Sequence, residues 1–136
     1  MKKNTLMMFG LFTMALVTIT SCSKQKEDPA ITLPSKKNLI VNTWAIEKYF
    51  ENGEDMTDQI LPFLGNYSLE FRKDGTFNEL IDGDGESGKW KMDSKEENLE
   101  MLYDGTTDSD TLKILRLTGK EMWLMQEDVE VHFKPK

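Results

Sequence analysis

The chain has 136 residues, with 24 acidic against 17 basic side chains, one cysteine and one histidine. Its formal charge of −7 opposes nonspecific attraction to nucleic acid or to an anionic membrane surface. A single cysteine excludes an internal disulfide and any multi-cysteine metal site, and the length allows one domain.

Residues 1–21 read as a signal peptide. Lys2 and Lys3 make a positive start, residues 6–19 are apolar apart from Gly10 and threonines, and the small Ser21 precedes Cys22. The run is shorter than the ~20 apolar residues a membrane-spanning helix needs, and nothing later approaches that length. Residues 22–35, with Pro29 and Pro34, hold too few apolar side chains to offset the entropy of ordering them, which predicts a flexible tether. The other option is that Ile31 and Leu33 lie as an extended strap over a barrel end. Residues 36–136 form the folded domain, about a hundred residues that bury somewhat over 60% of their unfolded surface.

Within this domain the period is two. Residues 41–50 predict a strand with Trp44, Ile46, Lys48 and Phe50 on one parity and Ala45, Glu47, Tyr49 and Glu51 on the other. Lys48 spoils the apolar side, so a bulge near it, or a wall covered on both faces, is expected. A turn at 51–54 leads into 57–64, expected to be a short helical lid capped by Thr57 and stopped by Pro62. Tyr67, Leu69 and Phe71 then alternate with Ser68, Glu70 and Arg72 up to a turn at Asp74-Gly75, and Phe77 opens the returning strand. The glycine-rich, acidic stretch 81–88 reads as a loop. Trp90 marks the next strand and 93–98 a charged turn, after which Leu99, Met101 and Tyr103 alternate again.

A polar turn at 104–110 follows. The strand at 111–117 slips in parity between Leu112/Ile114 and Leu115/Leu117, which predicts a bulge or burial on both faces. Thr118-Gly119-Lys120 is a tight turn, Trp123 and Met125 oppose Met122 and Leu124, and Glu127-Asp128 turns into Val129, Val131 and Phe133. Pro135 has no N–H to donate and ends the domain. About eight short strands with tight turns, and no helix long enough for a parallel crossover, predict an all-β, eight-stranded antiparallel up-and-down barrel.

Chemistry is less legible. Asp82, Asp84 and Glu86 alternate between glycines in the manner of a calcium loop, but Asp93 stands where the bidentate glutamate belongs and no helix flanks the stretch, which favours an exposed turn over a metal site. His132 is expected to face outward with Glu130 and Lys134, and no serine or acid is placed to make a triad with it. Neither an enzyme nor a cofactor is expected. Glu47, Lys48, Glu70 and Glu79 lie in strands, and one or two of them are expected to enter a cavity. Met92, Met101, Met122 and Met125 read as core fillers. The many aromatic rings favour a narrow or largely filled interior with a cleft near one mouth. Expected contacts for a small apolar ligand are Phe50, Ile60, Phe63, Leu64, Tyr67 and Trp90.

Two resemblances extend this reading. Ile19-Thr20-Ser21-Cys22 resembles a bacterial lipobox, which implies cleavage before Cys22 and diacylglycerol on its thiol. Asn42-Thr43-Trp44, the run Y67-x-L-x-F-x-x-D-G-T-F77, Gly88-x-Trp90 and the last strand pair around Leu124 together resemble the lipocalin-like lipoproteins of the Bacteroidetes over about residues 38–134. That resemblance implies an eight-stranded barrel, Trp44 packed across its base, and residues 57–64 over its open mouth. The expected function is a lipid-anchored protein of the bacterial outer membrane, periplasmic or on the cell surface, holding a small apolar or amphipathic molecule. The alternative is an envelope interaction or inhibitor module presenting the acidic stretch Asp82 to Glu86 to a basic partner.

Overall fold

Alternating polarity and tight turns resolve into a closed antiparallel barrel in the computed structural model, which describes residues 33–136. Its eight wall strands are β1 (Thr43–Glu51), β3 (Tyr67–Phe71), β4 (Thr76–Ile81), β5 (Asp84–Met92), β6 (Asn98–Tyr103), β7 (Ser109–Leu117), β8 (Met122–Gln126) and β9 (Val129–Pro135). From β3 onward each pairs with the next, β1 pairs with β3, and β9 returns to β1 from Trp44↔Pro135 to Glu51↔Val129. Closure leaves the wall without a free edge. β2 (Glu54–Asp55) is a two-residue strand folded back on β1. The expected signal peptide, Cys22 and the expected tether as far as Thr32 lie outside the described residues. Leu33 is 80% exposed and straps nothing.

One end of the barrel is filled. Trp44, Leu69, Phe71, Phe77, Leu99 and Met122 point inward and are almost wholly buried. A short helix that the periodicity did not reveal, α1 (Lys36–Ile40), closes this base. Ile40 is fully buried, its carbonyl accepts the Trp44 Nε1–H at 2.8 Å, and Lys36 Nζ donates to the Glu96 carbonyl at 2.8 Å in the β5–β6 turn. Five residues are too few to display a helical period, so only the buried contact identifies them. Met92 and Met101 join the core as expected, whereas Met125 is half-buried on the other strand face.

Both expected bulges are present. Pairing shifts between Ile46 and Lys48 and between Ile114 and Arg116. The first turns Lys48 and Phe50 to the outer wall and gives Tyr49 the inward position opposite Val131. The charge that spoiled the pattern is thus accommodated by one extra residue.

The stretch 81–88 differs from expectation. Its turn is only Asp82-Gly83, both with positive φ (52° and 89°), and β5 begins at Asp84. A two-residue turn of this twist suits a hairpin. Gly88 is a packing glycine within the strand: a Cβ there would press on the Leu102 carbonyl oxygen and lie 2.7 Å from Phe77 Cε1. The acidic loop of the interaction reading is therefore mostly strand.

Residues 57–64 form α2 (Thr57–Ile60) and a 3-10 turn (Leu61–Phe63). Met56, not Thr57, occupies the cap position. Thr57 Oγ1 instead accepts the Tyr49 N–H at 3.0 Å, and the Asp55 carboxylate accepts the Thr57 N–H at 3.0 Å, which ties the segment to β1.

Candidate functional site

Toward the other end, β7, β8, β9 and β1 turn aliphatic side chains inward where the base has rings. Leu112, Leu124, Val129 and Val131, on the adjacent strands β7, β8 and β9, line a half-open cavity of about 430 Å³. Tyr49 and Phe133 complete its walls, and Gln126 and Glu127 stand at its polar edge. Pockets for small molecules are commonly of this size and mainly apolar, with a few polar groups to orient the guest.

Outside that lining, β3, β4 and β6 bring a second polar cluster together on the inward face. Tyr67 Oη donates to Glu79 Oε1 at 2.6 Å, and Tyr103 Oη donates to Glu79 Oε2 at 2.8 Å. Tyr103 reaches β4 across β5 because Gly88, the residue between Phe77 and Tyr103 in the pairing, has no side chain. Its ring meets Phe77 edge-on at 5.2 Å. Tyr67 lies 6.3 Å from the ring of Phe133, which ties this cluster to the cavity wall. Hydrogen bonds to an ionised acceptor are about twice as strong as neutral ones, so the clamp rigidifies the mouth.

Burial raises the Tyr67 phenol far above its ordinary range, and the charge of Glu79 raises it further. Tyr103 is raised in the same direction by burial, by its hydrogen bond to Glu79, and by the charges of Glu79, Asp110 and Glu86. Both hydroxyls therefore stay protonated and act as fixed donors. Glu79, named beforehand with Glu47, Lys48 and Glu70, is the one whose carboxylate enters this clamp.

The six residues expected to contact a ligand do not converge. Tyr67 faces inward beside the cavity, near Phe133, without being one of its lining residues. Trp90 lies at the opposite end, edge-on to Phe71 at 5.7 Å and donating its Nε1–H to the Arg72 carbonyl at 3.0 Å. Phe50 faces outward and packs on His132 with ring centroids 5.0 Å apart. Ile60 and Leu64 are half-buried, while Phe63 is 83% exposed. The cavity lining takes no residue from 57–64, so this segment does not roof the cavity as the family resemblance implied.

The acidic trio is likewise dispersed. Asp82 accepts the Asn66 N–H at 2.8 Å, whereas Asp84 and Glu86 sit on β5. Among the described residues no three histidine, cysteine or carboxylate side chains converge as a metal would require. His132 faces outward as its parity predicts, yet it is buried on that outer wall. It stacks on Trp123 at 4.0 Å, with Nε2 2.6 Å from Glu130 Oε1.

Leu112, Leu124, Val129 and Val131 are read from the sequence as strand residues and not as ligand contacts. Alternation marks an inward face without telling whether that face is filled.

No family model matches the chain, and no curated protein does. Among solved structures it is similar to a lipocalin-like protein from Bacteroides uniformis, with a TM-score of 0.56 and 15% identity over 71% of this chain and 98% of that one. It is also similar to an uncharacterized protein from Bacteroides eggerthii, with a TM-score of 0.55 and 16% identity over 71% and 98%. A DUF4847 family protein from Bacteroides vulgatus gives a TM-score of 0.57 and 15% identity over 74% and 96%. Likeness at this identity is likeness of fold. The chain has a lipocalin-like, closed eight-stranded antiparallel barrel, as the sequence resemblance implied.

Proposed function

We propose that this protein is a lipid-anchored binder of the bacterial envelope, holding a small apolar or amphipathic molecule in the mouth of its barrel. The observation that carries the reading is the half-open cavity of about 430 Å³ above a solid base. Each methylene a guest buries there contributes about 0.8 kcal/mol. Lipocalin-like architecture supports a binding role by analogy of fold alone. The lipobox-like residues ending at Cys22 support attachment to the outer membrane, on the periplasmic side or at the cell surface, because two or more acyl chains make a stable anchor. The Tyr67 and Tyr103 hydroxyls give their single hydrogens to Glu79, so the clamp stiffens the wall beside the cavity.

Native mass spectrometry of the full chain purified from its own host tests this. A retained noncovalent mass beyond the acyl groups is the expected result. A bare protein that also leaves the fluorescence of an apolar dye such as Nile red unchanged would overturn the proposal.

One observation favours the interaction reading: Phe63 stands 83% exposed at the end of the segment beside the mouth. In that case Phe63→Ser abolishes co-purification of one envelope protein and leaves any bound small molecule in place.

A further inference from the structure

Resting on the lipid-anchored part of that reading, we infer that the base of the barrel is a second membrane contact. Its lysine-lined surface docks on anionic phospholipid headgroups and turns the mouth away from the bilayer. The net charge of −7 opposes nonspecific attraction to such a surface, but that charge is unevenly placed. At the mouth end, residues 51–66, 82–86, 104–110 and 127–128 include no lysine or arginine, and every charged side chain among them is acidic. At the base, lysines gather on one side, from α1, the β3–β4 turn and β5.

Two adjoining grooves of about 380 and 360 Å³ lie on this side and share Asp74, Gly75, Trp90 and Lys91. Lys37, Lys73, Lys89 and Lys91 line them, and all four are exposed. Among the lysines stand the half-buried Val41 and Trp90, and Leu102, which is 37% exposed. Only two acids enter the linings, and both are engaged. Glu100 Oε2 lies 3.0 Å from Lys91 Nζ, and Asp74 Oδ1 accepts the Thr76 N–H at 3.0 Å and its hydroxyl at 2.6 Å. The surface is net positive, with apolar side chains between the charges. Ammonium groups suit a layer of phosphates, while lysine stems and an indole suit the less polar level beneath it.

The attachment of the chain selects a membrane over an acidic protein as the occupant. Lys37 and Asn38 of α1 line one groove, so the segment leading back to Cys22 leaves the barrel beside it. Even fully extended, that connection reaches at most about 45 Å. An acylated Cys22 therefore keeps the lysines near the headgroups, where a few individually weak attractions suffice. The same headgroups repel the acidic mouth end, so both ends of the barrel favour one orientation. A guest then enters from the aqueous compartment and not from the bilayer that holds the anchor.

Lysine acetylation, read by mass spectrometry, tests the docking. The full chain from its own host is reconstituted on vesicles of phosphatidylcholine alone, or of phosphatidylcholine and phosphatidylglycerol in equal parts. Lys37, Lys73, Lys89 and Lys91 are expected to react about fivefold more slowly on the anionic vesicles. Lys48 and Lys113, exposed on β1 and β7 outside the grooves, should react equally on both. High salt should remove the protection. Lys37→Gln with Lys73→Gln, two side chains that form no ion pair among the described residues, should return Lys89 and Lys91 most of the way to the neutral-vesicle rate. A chain held on both kinds of vesicle with equal lysine reactivity, or with Lys48 and Lys113 protected as strongly as the base, would overturn the docking and leave the anchor standing. A chain that stays free of both would overturn docking and anchor together.

Discussion

Trp123 and His132 stack face to face on the outside of the barrel, ring centroids 4.0 Å apart and planes within 5° of parallel. They are direct cross-strand partners on β8 and β9. Arg116 lies 5.3 Å over the indole, and Phe50 packs on the other neighbour, His132. The row crosses β7, β8, β9 and β1, so it braces the strand pair through which the barrel closes. Trp123→Ala is expected to destabilise the protein by about 1–3 kcal/mol. In a double-mutant cycle with His132→Ala, a coupling of about 0.5–1.5 kcal/mol should appear in denaturant unfolding. Strict additivity would show that the stack contributes nothing.

Trp44→Phe tests the base. The substitution keeps a ring in the core but leaves the Ile40 carbonyl without the Nε1–H it accepts at 2.8 Å. An orphaned buried acceptor costs about 1–3 kcal/mol. Hydrogen exchange should show α1 (Lys36–Ile40) opening more readily, with protection elsewhere falling only as global stability falls.

Gly88→Ala addresses the slot through which Tyr103 reaches Glu79. The added methyl meets the Leu102 carbonyl oxygen and the Phe77 ring. A loss of about 3 kcal/mol is expected from overpacking, read as a lower denaturation midpoint. Gly83→Ala brings no such contact, since a Cβ there meets nothing within 4 Å, but its φ of 89° strains the turn. Its cost should be the smaller of the two, about 1–2 kcal/mol.

Alkaline pH should loosen the mouth. In the folded state the Tyr67 and Tyr103 phenols are both raised above the ordinary phenol value of about 10. Between the ordinary phenol range and these raised values the unfolded chain releases protons that the folded chain keeps, so stability falls as pH rises above about 10. Below that pH the contribution is complete. Thermal midpoints measured from neutral pH upward should decline beyond pH ~10, and Tyr67→Phe with Tyr103→Phe should flatten that decline.

Several features were legible in the chain because their causes are local. Alternation set off by tight turns predicted the strands and their antiparallel order. Misplaced Lys48 marked one bulge, and the slip between Ile114 and Leu115 marked the other, since a single extra residue inverts parity wherever it occurs. The residues around Trp44 suggested a tryptophan at the base, and that ring is fully buried there. Glycines misled for a related reason. A glycine at 88 is required equally by a loop and by a close approach of two walls, and the local sequence is the same in both cases.

Sequence alone therefore determined a closed, acidic, all-β barrel with a narrow or largely filled interior. Tertiary structure alone decided that Leu112, Leu124, Val129 and Val131 leave an opening, that α1 seals the base, and that Tyr67, Glu79 and Tyr103 meet from three strands. Patterning along one strand tells which way a side chain points. Whether it touches anything depends on the length of the side chains across the axis and on registers displaced by bulges, quantities shared among distant segments and carried by none of them separately.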